Sequence, residues 1–234
     1  MKYCMKHRVR YSEVDYNYKV GIPQIINYFQ DCSTFQSEEL GLGMKYLSDH
    51  KRAWLLLSWQ IEVDRYPEFG EELTIRTWAY DWKTVYGYRN FDLVDAEGRQ
   101  IVRAGSIWVY TDIEKMGPAR PDPSDMEAYG KEEPIDMEYA PRKIRAPKTF
   151  TEKDAFPVVK AHIDTNLHVN NAQYVALAEE YLPEDFKTQS LRVYYKQSAL
   201  LHDMIYPRVT VDENTYTIQL CKEDGDPYAI VSFR

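Results

Sequence analysis

Asp164, Asn166 and His168 take alternate positions of Asp164-Thr165-Asn166-Leu167-His168-Val169-Asn170-Asn171, so one short segment carries a carboxylate, an amide and an imidazole. A carboxylate and an imidazole held together can take a proton from water and pass it on. The amide between them can hold a water or a carbonyl by hydrogen bonds. Asn170 and Asn171 lead into a helical pattern, which brings the N–H groups of a helix start beside the same segment. An Asp-x-Asn run ahead of a helix also describes a plain turn and cap.

An earlier copy weighs between the two readings. Asp15-Tyr16-Asn17-Tyr18-Lys19-Val20-Gly21-Ile22 stands 149 residues before it, and the same step pairs Asn17 with Asn166, Val20 with Val169 and Gln24 with Gln173. His168 falls opposite Lys19. A duplicated loop with a histidine in one copy only points to divided labour between two halves. Asp15 and Asn17 then read as the structural version, and the active site is expected in the second half. A second step of 132 residues pairs Trp59–Val63 with Leu191–Tyr195, and Gly70-Glu71 with His202-Asp203.

The elements around these loops repeat in the same order. Ile22, Ile25, Ile26, Phe29, Cys32, Gln36 and Leu40 recur at helical spacing, with Pro23 suited to a first turn and Gly41 and Gly43 to a stop, so a helix is predicted over about 22–40. Strands are predicted at about 54–64, 72–82, 86–95 and 100–112, with Asp95-Ala96-Glu97-Gly98 as a hairpin turn. Residues 115–150 carry Pro118, Pro121, Pro123, Pro134, Pro141 and Pro147 among charges, the composition of a linker wrapping a surface. In the second half a strand is predicted at about 156–162 and a helix from about 170 to 182, with Tyr174, Leu177, Ala178 and Tyr181 on one face. Strands follow at about 190–197, 204–212, 215–222 and 227–233.

A long helix followed by about four antiparallel strands describes a sheet wrapped around a helix. The expected fold is α+β, a tandem pair of such units whose sheets pair edge to edge as an intrachain pseudo-dimer, hiding edges that otherwise invite aggregation. The net charge of −8 argues against nucleic-acid binding by bulk electrostatics. Cys4, Cys32 and Cys221 show no C-x-x-C spacing, so neither a disulfide framework nor a metal site is expected. The start shows no apolar signal region, and the longest apolar run, Ala53–Leu57, is too short to span a bilayer. A cytoplasmic protein without membrane contact is expected, as a monomer or homodimer.

Asp164-x-Asn166-x-His168-Val169-Asn170-Asn171-x-x-Tyr174 resembles the D-x-N-x-H-V-N-N-x-x-Y signature of acyl-acyl-carrier-protein thioesterases, which carry two hotdog domains in tandem. Val63-Asp64-Arg65-Tyr66-Pro67, Thr77-Trp78 and Arg103–Val109 support the resemblance, which runs from about Arg8 to the end of the chain. It implies a double hotdog: an N-terminal acyl-binding domain over 1–125, a linker over 126–150 and a catalytic domain over 151–234. It further implies hydrolysis of the thioester between a fatty acyl chain and the phosphopantetheine arm of acyl carrier protein, with free fatty acid released. No cofactor of the protein's own is implied, because the substrate brings the phosphopantetheine.

By the same resemblance Asp164, Asn166 and His168 are catalytic. Asn171, Gln197 and Ser198 are expected to complete the polar pocket, and Ile25, Ile26 and Phe29 to line the acyl tunnel. Plant members have a Glu-Cys pair where this chain has Gln197-Ser198, so a cysteine nucleophile is not expected and water is. Arg142, Lys143, Arg145 and Lys148 either dock an acidic carrier or form a solvated linker. An acyl-CoA thioesterase and a non-catalytic acyl-thioester binder are the competing readings.

Overall fold

The structure is a computed structural model that describes residues 2–234. Its chain forms two compact units: one runs to Tyr139 apart from Ser58–Gln60, and those three residues group with Ala140–Arg234 in the second.

The first unit has β1 (Tyr3–Arg8), a 3-10 turn (Tyr11–Glu13), α1 (Ile22–Glu39), α2 (Met44–Asp49), β2 (Arg52–Val63), β3 (Glu72–Lys83), β4 (Tyr86–Val94), β5 (Gln100–Asp112), the short β6 (Gly117–Pro118) and α3 (Pro123–Tyr129). Its strands lie in the order β1-β3-β4-β5-β2, with β1–β3, β3–β4 and β4–β5 antiparallel. α1 starts after Gly21 with Pro23 in its first turn, where a missing N–H costs nothing. Past its end Gly41 takes a φ of 72°, and the Leu42 N–H turns back to the Ser37 carbonyl at 2.9 Å. Ile22, Ile25, Ile26, Phe29, Cys32 and Gln36 make the buried stripe, which packs on β3 and β1. Phe29 meets Phe91 of β4 at 5.1 Å between ring centres.

The second unit has the short strands β7 (Thr151–Glu152) and β8 (Phe156–Pro157), a 3-10 turn (Lys160–His162), α4 (Asn171–Glu179), β9 (Ser190–Tyr195), β10 (Met204–Asp212), β11 (Thr215–Cys221) and β12 (Pro227–Phe233). Its strands lie in the order β9-β12-β11-β10-β7, and α4 packs on β11 and β12. Each unit is thus a helix wrapped by an antiparallel sheet, and the α+β expectation holds.

Three expectations need correction. The strand over 156–162 is only Phe156–Pro157, paired with Ile205 and Met204, because the chain turns into the 3-10 segment at Lys160. α4 stops at Glu179 rather than 182. Its buried face is Ala172, Tyr174, Val175 and Ala178, while Leu177 and Tyr181 are half-buried.

The proline-rich stretch is a strap with fixed attachments. In the first unit, Glu132 N–H donates to the Ala79 carbonyl (3.0 Å), Trp78 Nε1–H to the Glu133 carbonyl (2.9 Å), and Ile135 N–H and Tyr139 O–H to buried Asn90 Oδ1. In the second, the carbonyls of Pro141, Pro147 and Thr149 accept from Arg192, Gln219 and Thr210. α3, capped by the Asp122 carboxylate on Ser124 N–H (2.9 Å), runs across position 125, where a domain boundary was expected.

Cys32 on α1 and Cys221 on β11 are fully buried, and Cys4 is exposed. Burial pushes the Cys32 thiol up to about 12 and raises that of Cys221. No helix among the described residues is long and apolar enough to cross a membrane.

Glu179 ends α4, where a helix terminus disfavours negative charge. Burial, with the Glu180 charge second, pushes its carboxyl up to about 8 from an ordinary 4.5. The folded state therefore holds this proton more tightly than the unfolded chain. Stability from this group is full below about 4.5 and falls as pH rises towards about 8. Glu179→Gln is expected to flatten that fall, so denaturant midpoints of variant and parent should diverge from pH 5 to 9 in the variant's favour.

Candidate active site

The segment around Asp164 is closed by its own backbone. Ile163 and Val169 form an antiparallel bridge, Asp164 N–H donates to the His168 carbonyl (2.9 Å), and Leu167 N–H donates to the Asp164 carbonyl (3.1 Å). Asp164 Oδ1 accepts from Asn166 N–H at 2.8 Å, and Leu167 adopts φ 63°. In the first copy Val14 bridges Val20, Asp15 N–H donates to the Lys19 carbonyl (2.8 Å), Tyr18 N–H to the Asp15 carbonyl (3.0 Å) and Asn17 N–H to Asp15 Oδ1 (2.8 Å), with Tyr18 at φ 61°. The two loops share these bonds, and the first adds Lys19 N–H on Asp15 Oδ1 at 3.0 Å. In both, the aspartate organises the turn by accepting a local N–H.

The second spacing is equally exact in atoms. Val169 N–H donates to the Ala199 carbonyl (3.0 Å), as Val20 N–H does to that of Pro67 (2.9 Å). His168 bridges Leu200 as Lys19 bridges Glu68. Leu200 N–H donates to Asp203 Oδ2 and Glu68 N–H to Glu71 Oε2, both at 2.9 Å. His202, at φ 74°, stands where the first copy has Gly70 at φ 80°. A side chain in the left-handed region costs roughly 1–2 kcal/mol, partly offset by the flexibility of glycine in the unfolded chain. His202→Gly is therefore expected to stabilise the protein by up to about 1 kcal/mol, read from a denaturant melt.

These contacts bring the His168 loop directly against the Gln197–Leu200 segment. Asp164 and His168 are half-buried; Asn166 and Ser198 are exposed. Gln197 is exposed, but its side chain is tied up, accepting from Lys222 and donating to Asp226 Oδ2 at 3.3 Å. Asn171 is the first residue of α4, half-buried, and its carbonyl accepts from Tyr195 O–H (2.9 Å). Asn170 caps the helix through Oδ1 on Ala172 N–H (2.8 Å), and Gln173 N–H goes to the Asn170 carbonyl (3.0 Å). Two N–H groups of the helix start are thus already bonded, which narrows the choice of donors for a substrate oxygen. Ile25, Ile26 and Phe29 lie in the other unit at 0% exposure. A cavity of about 10 Å³ in that unit is lined by Leu42, Trp54, Trp82, Tyr110 and Tyr129 among others, and none of the three borders it.

Two side chains beside the loop were not singled out from sequence as candidates for a role. Asp203 Oδ2 holds Leu200 N–H and accepts from Tyr228 O–H (3.1 Å); burial, then that bond, pushes the Tyr228 phenol up to about 12. Tyr174 Oη accepts from Ala199 N–H at 2.8 Å. The step pairing Gly70-Glu71 with His202-Asp203 was the available signal for Asp203. The cysteines lie on β1, α1 and β11, none of them in the loop or in the 196–200 segment. Among the described residues no group of three or more His, Cys, Asp or Glu side chains is placed to hold a metal.

Comparisons with known proteins agree on one family. The acyl-ACP thioesterase N-terminal domain matches residues 1–125, and the acyl-ACP thioesterase C-terminal domain matches residues 145–219. A chloroplastic acyl-[acyl-carrier-protein] hydrolase of Cuphea viscosissima is 26% identical over 200 residues, covering 78% of this chain and 48% of its own length. The chain thus spans about half the length of the curated relatives it first matches. An acyl-ACP thioesterase from Bacteroides thetaiotaomicron shares the fold at a TM-score of 0.89 and 20% identity, over 99% of this chain and 96% of its own. The 12:0-ACP thioesterase from Umbellularia californica shares it at 0.85 and 17%, over 100% and 96%. Those structures identify each helix-wrapped unit as a hotdog, and the two matched domains, which together cover most of the sequence, show that the chain belongs to the acyl-ACP thioesterase family.

Proposed function

We propose that this protein hydrolyses the thioester linking a fatty acyl chain to acyl carrier protein, releasing free fatty acid and the carrier's thiol as a step of fatty acid biosynthesis. The observation that carries the reading is His168, an acid–base side chain in a loop whose duplicate, closed by the same bridge and turn bonds, has Lys19. Family membership supplies the substrate class.

In the proposed reaction a water attacks the thioester carbonyl carbon while the His168–Asp164 pair takes its proton, an effect worth roughly 10²–10⁴-fold. The C–S bond then breaks, the proton passes to the leaving sulfur, and the products are a carboxylic acid and a thiol. Asn166, exposed at the turn, orients the water or the carbonyl. Asn171 and Ser198 border the same loop. Gln197 reaches substrate only by leaving Lys222 and Asp226. Catalysis is assigned to the 151–234 domain and acyl binding, through Ile25, Ile26 and Phe29, to the 1–125 domain. No bound metal or other cofactor is needed for these steps.

Lys143, Arg145 and Lys148 are exposed on the strap and suit an acidic carrier surface. A cytoplasmic monomer or homodimer fits the reading. The deciding experiment offers one acyl chain on acyl carrier protein and on CoA and measures thiol release. Faster release from the carrier protein is expected. A clear preference for CoA would replace the carrier with CoA, and tight binding without release would make the protein a binder.

A further inference from the structure

We infer that Tyr174 is a positioning residue of this site: its hydroxyl, acting through the Ala199 N–H, holds the Gln197–Leu200 segment against the His168 loop. The inference rests on the proposed function, because it matters to turnover only if that loop is catalytic.

Tyr174 is 2% exposed, and Ala199, whose N–H it accepts at 2.8 Å, is 0% exposed. The Ala199 carbonyl is held from the other side by Val169 N–H at 3.0 Å. Both backbone groups of Ala199 are therefore fixed, one to α4 and one to the residue after His168. Ser198 and Leu200 are carried with it. A T-shaped contact with Tyr195, 5.8 Å between ring centres, sets the Tyr174 ring in turn. Burial holds the Tyr174 phenol above its usual range, so the group keeps its proton and meets the amide with a lone pair.

The first copy supplies a control within the same chain. Ile25 stands in the place of Tyr174 and Pro67 in the place of Ala199, while the Val20 N–H to Pro67 carbonyl bond is kept at 2.9 Å. Proline has no N–H to satisfy, so an isoleucine suffices beside it. Alanine at the same place buries an N–H that needs an acceptor. The hydroxyl and the amide it serves thus occur together, in the copy that has His168.

Tyr174→Phe removes one oxygen and keeps the ring. It is expected to lower kcat about tenfold or more, with KM changed less. Ala199→Pro combined with Tyr174→Ile copies the Ile25–Pro67 pairing of the first copy, which has no N–H to hold, so this double variant should turn over faster than Tyr174→Phe. The Ala199 amide should exchange with solvent at least about tenfold faster in Tyr174→Phe than in the parent. A double variant as slow as Tyr174→Phe would mean that the hydroxyl acts on substrate directly, and would overturn the inference. A lower Tm with unchanged kcat per folded molecule would overturn it too. If Tyr174→Phe fails to fold, the double variant, which has no orphaned N–H, decides the matter: kcat near the parent's supports the inference and a loss of about tenfold overturns it. A parent protein that hydrolyses no acyl thioester would sink the proposed function instead, and amide exchange would still test the positioning.

Discussion

Replacing His168 by alanine lowers turnover by about a hundredfold or more while leaving the fold in place. Both halves of this expectation come from the duplicated loop. The bonds that shape it, from Asp164 N–H to the His168 carbonyl and from Val169 N–H to the Ala199 carbonyl, use only backbone at these positions. Lys19 holds the equivalent place with the same bonding. His168→Lys is therefore the stricter variant: the chain itself already tolerates that residue in this loop. Its stability should lie within about 0.5 kcal/mol of the parent, as for an ordinary surface change. Turnover at saturating acyl-carrier substrate and a denaturant melt on the same preparation check the two parts. Activity that survives both variants would remove the imidazole from the mechanism.

The second large effect separates two jobs of one carboxylate. Asp164 Oδ1 accepts from Asn166 N–H, as Asp15 Oδ1 does from Asn17 N–H, and both bonds are 2.8 Å. Losing such a bond costs about 1 kcal/mol. Asp15 Oδ1 also accepts from Lys19 N–H at 3.0 Å, so Asp15→Ala should cost about 2 kcal/mol with kcat unchanged, whereas Asp164→Ala should cost about 1 kcal/mol and lose turnover beyond about a hundredfold. Asp164→Asn keeps an oxygen for the turn and removes the charge, so it should spare stability and still abolish most activity. If Asp164→Asn retained the parent's kcat, the aspartate would be a turn residue in both copies, and His168 would act without it.

Much of this was legible because the periodicities are strong. α1 begins and ends within a residue of its apolar stripe, and the strands from β2 to β5 and β9 to β12 fall within about two residues of their patterned runs. α3 was hidden by composition: Pro123 reads as linker, although Asp122 before a first-turn proline is a helix start. Val158 and Val159 read as strand because two apolar residues follow Phe156, but Val158 spends its N–H on the Asp203 carbonyl and the chain then turns. The duplicated shape of the loop was legible from the 149-residue step. The contact of His168 with Leu200 and that of Tyr174 with Ala199 were not, since each joins residues 25 or more apart through a turn whose path no local pattern reports.

The placement of the three thiols has a practical consequence. Cys32 lies in the interior of one unit and Cys221 in that of the other, both held protonated by burial, while Cys4 is open to solvent. A maleimide pulse on the native protein should modify Cys4 alone, and each buried sulfur becomes reactive only when its own hotdog opens. With Cys4 replaced by serine, peptide-resolved labelling at Cys32 and Cys221 reads out two separate opening equilibria from one unmodified backbone, so the chain carries a built-in gauge of whether its halves melt together or in turn.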